Sequence, residues 1–291
     1  MPQSLPGIER HTCRIRPHAV AGSPQLLHGP KISDGSIFRM KLESLLQYMG
    51  EYLDVADHPD YPGAMNGLQV GGPGDVKKLA VAVDASEASI LAAVETGADL
   101  MIVHHGLFWG GLSPLTGPHL RRIRALLDNS LALYSCHLPL DGHAEVGNSA
   151  LLGRALGLEL EGRFAAFQGA EVGWHGRPEE PLDLPGLVSR CEEVLGGSLH
   201  TIPGGPDRID RVGVVTGGGA SFIEEAVGLG LDALVTGEGT HHAHFDAMEL
   251  GLHVLFGGHY ATETFGVRAL GDHLAERFGL ACDFIDQPTG L

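Results

Sequence analysis

Histidines and carboxylates follow several apolar segments of this chain, in arrangements typical of metal ligands. His104 and His105 are adjacent and come directly after the apolar segment 100–103. Polar residues just beyond the carboxyl ends of parallel strands line the usual ligand crevice of an open α/β sheet. Because neighbours within a strand point to opposite faces, we expect both rings to lie in the turn that follows, where each can address a different ion. Two solvent-exposed turn histidines are the alternative interpretation.

Two further pairs repeat the pattern His-x-x-x-carboxylate after an apolar segment. His137 and Asp141 form the first pair, and Pro139 between them argues against a regular helix there. His259 and Glu263 form the second pair, where we expect a helix to begin, with Glu263 in its first turn. A carboxylate at a helix N-terminus is favourable in any protein, which is the alternative explanation for Glu263. Taken together, the imidazoles and carboxylates predict a site for Zn, Fe, Mn or Ni.

Two other segments at predicted strand ends could contribute to such a site. Gly217, Gly218 and Gly219 link a predicted strand to a predicted helix. Backbone N–H groups in such a loop can bind a phosphate, and a plain tight turn explains the loop equally well. Asp84 ends an earlier predicted strand, where it either orients a ligand histidine or caps the next helix, a role for which Ser86 competes.

The amino-acid composition argues against some classes of binding partner and indicates the cellular compartment. The 291 residues are 43% hydrophobic, enough for one large domain or two smaller ones. A net charge of −17 repels a phosphate backbone and argues against nucleic acid as a partner. Four cysteines without C-x-x-C spacing indicate a reducing compartment, the cytoplasm. We expect no membrane partner and no secretory signal, because no apolar segment is long enough for either.

The order of apolar and helical segments along the chain predicts an α/β fold. Residues 1–39 contain several prolines and no periodicity, so we expect a disordered or loosely attached extension. Apolar segments without polar alternation then alternate with helical segments, which is typical of parallel strands buried on both faces. Among these elements the pattern predicts a helix over 87–96 and strands over 212–215 and 233–236. We predict a first α/β domain from residues 40–160 with 270–291, and a second from residues 161–269.

The two predicted domains resemble each other. Gly97–Val103 precedes His104-His105, and the similar segment Gly230–Thr236 precedes Gly237-Glu238. Each half also contains one His-x-x-x-carboxylate pair. A duplication would produce two similar α/β domains, related by pseudo-two-fold symmetry around a shared cleft, and chance similarity is the alternative.

Several motifs, in order along residues 40–291, resemble the Nif-three-like dinuclear metal-centre family, whose members are often described as GTP cyclohydrolase type-two homologues. The motifs that carry the resemblance are Asn66-Gly67-Leu68-Gln69-Val70, the segment from Asp99 to Trp109, His137-Leu138-Pro139-Leu140-Asp141, Gly147-Asn148, Thr216-Gly217-Gly218-Gly219, Thr236-Gly237-Glu238 and Gly258-His259-Tyr260-Ala261-Thr262-Glu263.

The resemblance implies two divalent metal ions per chain, with Glu263 bridging them, and a ring-shaped homohexamer. The implied ligands are His104, His105, Asp141, His259 and Glu263.

We expect a metal-dependent hydrolase, because a dinuclear pair can activate a water molecule and hold both reacting oxygens. The family label suggests that metal-bound hydroxide opens the imidazole ring of GTP, or attacks another nucleotide, small phosphorylated or cyclic amide-like substrate. His137 or Glu238 would then carry protons, since both lie beside the ligands at strand ends. The alternative is a non-enzymatic protein that handles metal or serves as an interaction scaffold.

Overall fold

The computed structural model describes residues 39–111 and 113–291, so the predicted extension lies almost entirely outside the described residues. Within these ranges the strands are β1 (Met40–Lys41), β2 (Gly67–Val70), β3 (Asp75–Val76), β4 (Lys78–Asp84), β5 (Leu100–His105), β6 (Ala132–Ser135), β7 (Leu158–Phe167), β8 (Ala170–Pro178), β9 (His200–Pro203), β10 (Val212–Val215), β11 (Ala233–Thr236), β12 (His253–Phe256) and β13 (Ala281–Phe284).

The helices of the same ranges are α1 (Leu42–Tyr52), α2 (Glu87–Thr96), α3 (Gly117–Asp128), α4 (Leu138–Asp141), α5 (Asn148–Ala155), α6 (Leu184–Leu195), α7 (Ile223–Gly228), α8 (Ala243–Leu250) and α9 (His259–Phe278), and a 3₁₀ turn covers Gly219–Phe222. None of these helices is both long and apolar enough to cross a membrane.

Two larger sheets form the framework, and each has parallel strands at its centre. One has the order β13-β4-β5-β6-β2, with β2 antiparallel to its neighbour. The other has the order β7-β8-β10-β11-β12-β9, with β10, β11 and β12 parallel. The short strands β1 and β3 pair separately. Both sheets are covered on their two faces by apolar side chains, which is why their central strands read as unbroken apolar segments.

Helix α9 connects the two sheets and brings the metal-site candidates together. It follows β12 of the six-stranded sheet, yet its buried side chains, among them Val267, Leu270 and Leu274, belong to the core of the five-stranded sheet. Its first turn therefore lies between the two sheets. The prediction of an α/β fold is confirmed, and helix α2 and strands β10 and β11 have the boundaries that the pattern predicts.

Three local predictions were wrong. Residues 138–141 do form a helical turn, because Pro139 lies in its first turn, where a missing N–H group and a fixed φ are tolerated. Helix α9 begins at His259, so Glu263 lies one full turn into the helix. His104 and His105 are the last two residues of β5 and do not lie in the turn that follows it.

Candidate metal centre

The candidate metal centre lies where the carboxyl ends of the parallel strands from both sheets meet. Strand β5 ends in His104 and His105, and Asp141 follows β6 across a single helical turn. From the other sheet, β12 leads directly into His259 and Glu263. This is the position at which open α/β sheets hold their ligands, and here two such edges face each other.

The rings of His104 and His105 lie 4.7 Å apart between centroids although the two residues are neighbours in a strand, because each ring leans toward a different adjacent strand. Nδ1 of His104 lies 3.0 Å from the carbonyl oxygen of Cys136, just after β6. Nδ1 of His105 lies 2.9 Å from Oδ1 of Asp84, at the end of β4. Since both acceptors require an N–H donor, Nδ1 carries the proton and the Nε2 lone pair of each ring is directed elsewhere.

His259 and Glu263 are four residues apart in α9, so helical periodicity places them on the same face of its first turns. Nε2 of His259 lies 3.2 Å from Oε2 of Glu263. Glu263 is almost fully buried, with 2% of its surface exposed. A buried carboxylate needs a compensating positive charge, which the helix N-terminus supplies only in part.

Asp141 is held by a network that extends into both sheets. Its Oδ1 accepts hydrogen bonds from Nδ2 of Asn148 at 2.8 Å and from Oγ1 of Thr216 at 3.2 Å. Asn148 is fully buried, and its Oδ1 accepts a hydrogen bond from the backbone N–H of Gly266 in α9. The second oxygen of Asp141, Oδ2, is thereby left to face His104 Nε2 at 3.5 Å.

The five predicted ligands form two groups of three that share Glu263. In the first group, His104 Nε2 lies 3.6 Å from Glu263 Oε1, and Asp141 completes the set. In the second group, His105 Nε2 lies 3.4 Å from Glu263 Oε2, and His259 completes the set. The two oxygens of one carboxylate therefore face two different groups of imidazole and carboxylate atoms.

The geometry of both groups fits a bound cation. Atoms that share one ion at ligand distances of 2.0–2.2 Å are about 3.0–3.6 Å apart, the range seen here. Nε2 of His104 and Oε2 of Glu263 are buried and make no hydrogen bond within the described part of the chain. Buried polar atoms are normally paired, and a metal ion would satisfy both. Candidate groups for metal binding are therefore present, and the ligand assignment itself stays a prediction.

The negative charges of the clustered carboxylates also favour a bound cation. Burial lowers the pKa of His104, but the carboxylates of Asp141 and Glu263 outweigh burial and hold that pKa well above its ordinary value. The Glu263 carboxylate beside Nε2 of His259 is the main cause that raises the pKa of His259 to about 9. Burial disfavours ionised Glu263, yet the imidazoles around it hold its pKa well below its usual value. A metal ion bound here would therefore displace protons from these rings.

His137, a predicted proton carrier, lies beside the predicted ligands. Its ring centroid is 4.9 Å from that of His104, and one ring nitrogen lies close enough to those of His104 and His105 to join a metal site. Nδ1 of His137 is 2.8 Å from Oδ1 of Asp60, so the geometry fixes the proton on Nδ1. Burial is the main cause that lowers the pKa of His137.

Glu238, the other predicted proton carrier, contacts the far side of a predicted ligand. Its Oε1 lies 3.0 Å from Nδ1 of His259, just as Asp84 contacts Nδ1 of His105. This contact orients the ring and directs the Nε2 lone pair toward Glu263. Asp84 thus has the orienting position that the sequence suggested, while Ser86 caps α2.

The glycine-rich loop packs against the predicted bridging carboxylate. The N–H groups of Gly217 and Gly219 donate to the hydroxyl oxygens of Thr262 and Thr236. The carbonyl oxygen of Gly217 accepts from Glu238 N–H and from the Thr236 hydroxyl. Two of the three glycine N–H groups are therefore already used within the protein, so the loop geometry favours the tight-turn interpretation, and phosphate binding at Gly217–Gly219 stays a prediction.

Gly217→Ala is expected to weaken metal binding and to destabilise the fold by about 1–3 kcal/mol. Gly217 has φ +63°, and a Cβ atom there would overlap Oε1 of Glu263. Gly218→Ala is the matched control, because its φ is ordinary and a Cβ atom would meet open space. Elemental analysis and chemical denaturation compare the two variants. Equal metal content and stability would contradict the close approach of this loop to Glu263.

A cavity of about 860 Å³ opens above the candidate ligands, and aromatic side chains form one side of it. We call Tyr61, Trp109 and Phe167 the aromatic wall. The Tyr61 ring lies 4.5 Å from Phe167 and 6.2 Å from Trp109, measured between centroids. Trp109 meets His137 edge-on at 4.6 Å. Trp109 of the aromatic wall therefore contacts His137, whose ring lies next to that of the candidate ligand His104.

Sequence reasoning missed several residues of this site. Asp60, Tyr61 and the end of β7 lie in segments without a motif-like spacing to the histidines. Trp109 and Asn148 fall inside motifs that carry the family resemblance, but nothing in their spacing indicates a role in the site. Hydrogen-bond partners more than seventy residues apart, such as Asp60 and His137, leave no periodic signal in a single sequence.

Comparison with known proteins identifies relatives along almost the whole described chain. Residues 40–289 match the model of the family described as Duf34/NIF3 (NGG1p interacting factor 3). A protein of Deinococcus radiodurans named GTP cyclohydrolase 1 type 2 homolog is 43% identical over 249 residues, which are 86% of this chain and 94% of the relative. A Halobacterium salinarum protein of the same name is 44% identical, covering 87% of this chain and all of the relative.

A solved structure has the same fold. The protein TTHA1606 from Thermus thermophilus superposes with a TM-score of 0.78 at 40% sequence identity, covering 87% of this chain and all of that chain. Sequence and fold therefore agree on one group of relatives.

Proposed function

This chain belongs to the Duf34/NIF3 family, and we propose that it is a metal-dependent hydrolase with two divalent cations in the cleft between two similar α/β domains. The proposed domains are residues 40–160 with 270–291, and residues 161–269, related by pseudo-two-fold symmetry. Support comes from the two sheets, since each has central parallel strands whose carboxyl ends supply candidate ligands.

One observation carries the proposal: the two carboxylate oxygens of Glu263 face two separate groups of ligand atoms. We assign one cation to His104, Asp141 and Glu263, and the other to His105, His259 and Glu263. Imidazole and carboxylate donors suit Zn, Fe, Mn or Ni. When bound, such a pair supplies Lewis acidity, which polarises a substrate carbonyl and makes a water molecule more acidic.

The protein's own residues would position the reactants and move the proton. Hydrolysis of a cyclic amide or amidine adds the hydroxyl of water to the ring carbon and the remaining proton to the ring nitrogen as the C–N bond breaks. Nε2 of His137 has a lone pair directed into the site, because Nδ1 donates to Asp60. His137 can therefore accept the proton from water and return it to the leaving nitrogen. Glu238 and Asp84 keep His259 and His105 in the orientation that ligation requires.

The relatives' name, GTP cyclohydrolase 1 type 2 homolog, points to ring opening of a nucleotide or cyclic amide-like substrate. Full-length metal-loaded protein is expected to convert at least one member of a panel comprising GTP, dihydrouracil and hydantoin, with a product that has gained one water by mass spectrometry. His137→Asn should lower kcat about 100-fold or more while metal content is kept, since proton transfer contributes about that much. Absence of turnover across the panel would argue against a hydrolase.

A non-enzymatic scaffold that binds or delivers metal is the second candidate. Helix α8 exposes Phe245, Met248 and Leu250, with Phe245 53% exposed, and such a face suits a protein contact. The family description also refers to an interacting factor. Metal transfer to an apo client protein, without turnover, would favour this function. Self-association into a ring-shaped homohexamer is compatible with both, and light scattering measures it.

A further inference from the structure

No lysine or arginine lies among the described residues that line the cavity above the candidate metal centre. The lining includes the carboxylates of Asp84, Asp141, Glu238 and Glu263, and the imidazoles of the candidate ligands, which a bound cation would hold in the neutral form. Four carboxylates balance the four positive charges of two divalent cations. A loaded site would therefore be close to neutral, and it would offer little net attraction to a highly charged anion.

Exposed aromatic rings in the cavity wall form a surface on which a planar ligand could stack. Tyr61 and Trp109 are 47% and 38% exposed, which is high for large apolar side chains at the mouth of a cavity. Their rings come from two separate loops, and Phe167 at the end of β7 supports Tyr61. Gly63 lets the two loops approach closely, because a Cβ atom there would meet the backbone oxygen of Trp109 at 2.8 Å. Such exposed aromatic faces bind planar rings by stacking.

We propose that this site takes a neutral, planar nitrogen heterocycle that stacks on Trp109 and contacts the inclined ring of Tyr61, and that it discriminates against the nucleoside triphosphate form of such a ring. This inference rests on the proposed function, because the heterocycle is the ring that would be opened. It narrows the substrate class from nucleotides and cyclic amides to unphosphorylated cyclic amides and nucleobase-like compounds.

The distances favour this arrangement. The Trp109 ring centroid is 5.6 Å from that of His105 and 4.6 Å from that of His137. A ring stacked on Trp109 would thus have its edge next to both a candidate ligand and the candidate proton acceptor. A triphosphate attached to that ring would meet no lysine or arginine among the described residues that line the cavity, whereas Glu238 is one of those residues.

The test is calorimetric titration of metal-loaded, full-length protein with guanosine and with GTP, which share one planar base. We expect guanosine to bind at least about tenfold more tightly than GTP. Trp109→Ala should weaken guanosine binding about tenfold, within the range for base stacking, and Trp109→Phe should restore most of it. Phe245 is an exposed aromatic residue outside the cavity lining, so Phe245→Ala should leave the affinities for guanosine and for GTP unchanged. Metal content is measured for each variant, so that a loss of bound metal is not mistaken for the loss of the stacking contact.

Ser221→Arg would add a positively charged side chain to the cavity lining, so it tests the inference by a gain of affinity for GTP. It should strengthen GTP binding while guanosine binding stays the same. Tighter binding of GTP than of guanosine by the unmodified protein would overturn the inference, as would binding of inorganic tripolyphosphate as tight as that of GTP. Failure to bind either base-containing compound would also overturn it. The proposed hydrolase fails separately, through absence of turnover over the whole panel or normal metal content in a Glu263 variant.

Discussion

Glu263→Gln is expected to remove most of the bound metal, a larger loss than Asp84→Asn causes. Glu263 is buried and its two oxygens face both ligand groups, so the amide would remove a full negative charge from between the two proposed cations while keeping the shape of the side chain. The Asp84 carboxylate contacts Nδ1 of His105, the ring nitrogen that faces away from Glu263, and the loss of such an orienting partner typically lowers metal affinity about 10–100-fold. The effect of Glu263→Gln should exceed that range.

Two further variants complete this comparison. Asp141→Asn should behave like Glu263→Gln, because Asp141 faces His104 directly. Glu238→Gln should behave like Asp84→Asn, because it contacts Nδ1 of His259 in the same way. The measurement is elemental analysis after identical dialysis, with circular dichroism to confirm folding. If Glu263→Gln keeps two metals per chain while Asp84→Asn loses them, the ligand assignment is wrong.

Removal of the metal by a chelator is expected to lower the thermal midpoint by about 10 °C. A ligand that is present at about a thousand times its dissociation constant and binds only the folded state stabilises it by about 4 kcal/mol. One kcal/mol corresponds to about 2–4 °C for a chain of this size class. Without cations, the buried carboxylates Asp141 and Glu263 lose the positive charge that compensates them, apart from protons on the imidazoles.

Glu263→Gln is the control for the chelation experiment. Its midpoint should respond little to the chelator, because little metal remains to be removed. Adding the metal back should restore the midpoint of the unmodified protein but not that of the variant. A midpoint that stays constant while elemental analysis shows the metal to be gone would mean that the cluster of His104, His105, Asp141, His259 and Glu263 needs no cation for stability.

The sequence alone determined the fold class and the residue types of the site. Unbroken apolar segments predict buried parallel strands because a strand covered on both faces must be apolar throughout. Strands β10 and β11 were predicted with their observed boundaries for that reason. Histidines and carboxylates at the ends of such segments were recognisable as candidate ligands, since the carboxyl ends of parallel strands form the ligand edge of a sheet.

Tertiary structure alone decided how those residues meet. Helix α9 leaves one sheet and packs on the other, and this crossing brings Glu263 between His104 and His105. The start of α9 and the turn at Pro139 were mispredicted because helix ends depend on tertiary contacts that local patterns do not report. Asp60 and the aromatic wall come from loops distant in sequence from the histidines. Hydrophobic periodicity records only whether a residue is buried, whereas the partner against which it is buried is a long-range property of the folded chain.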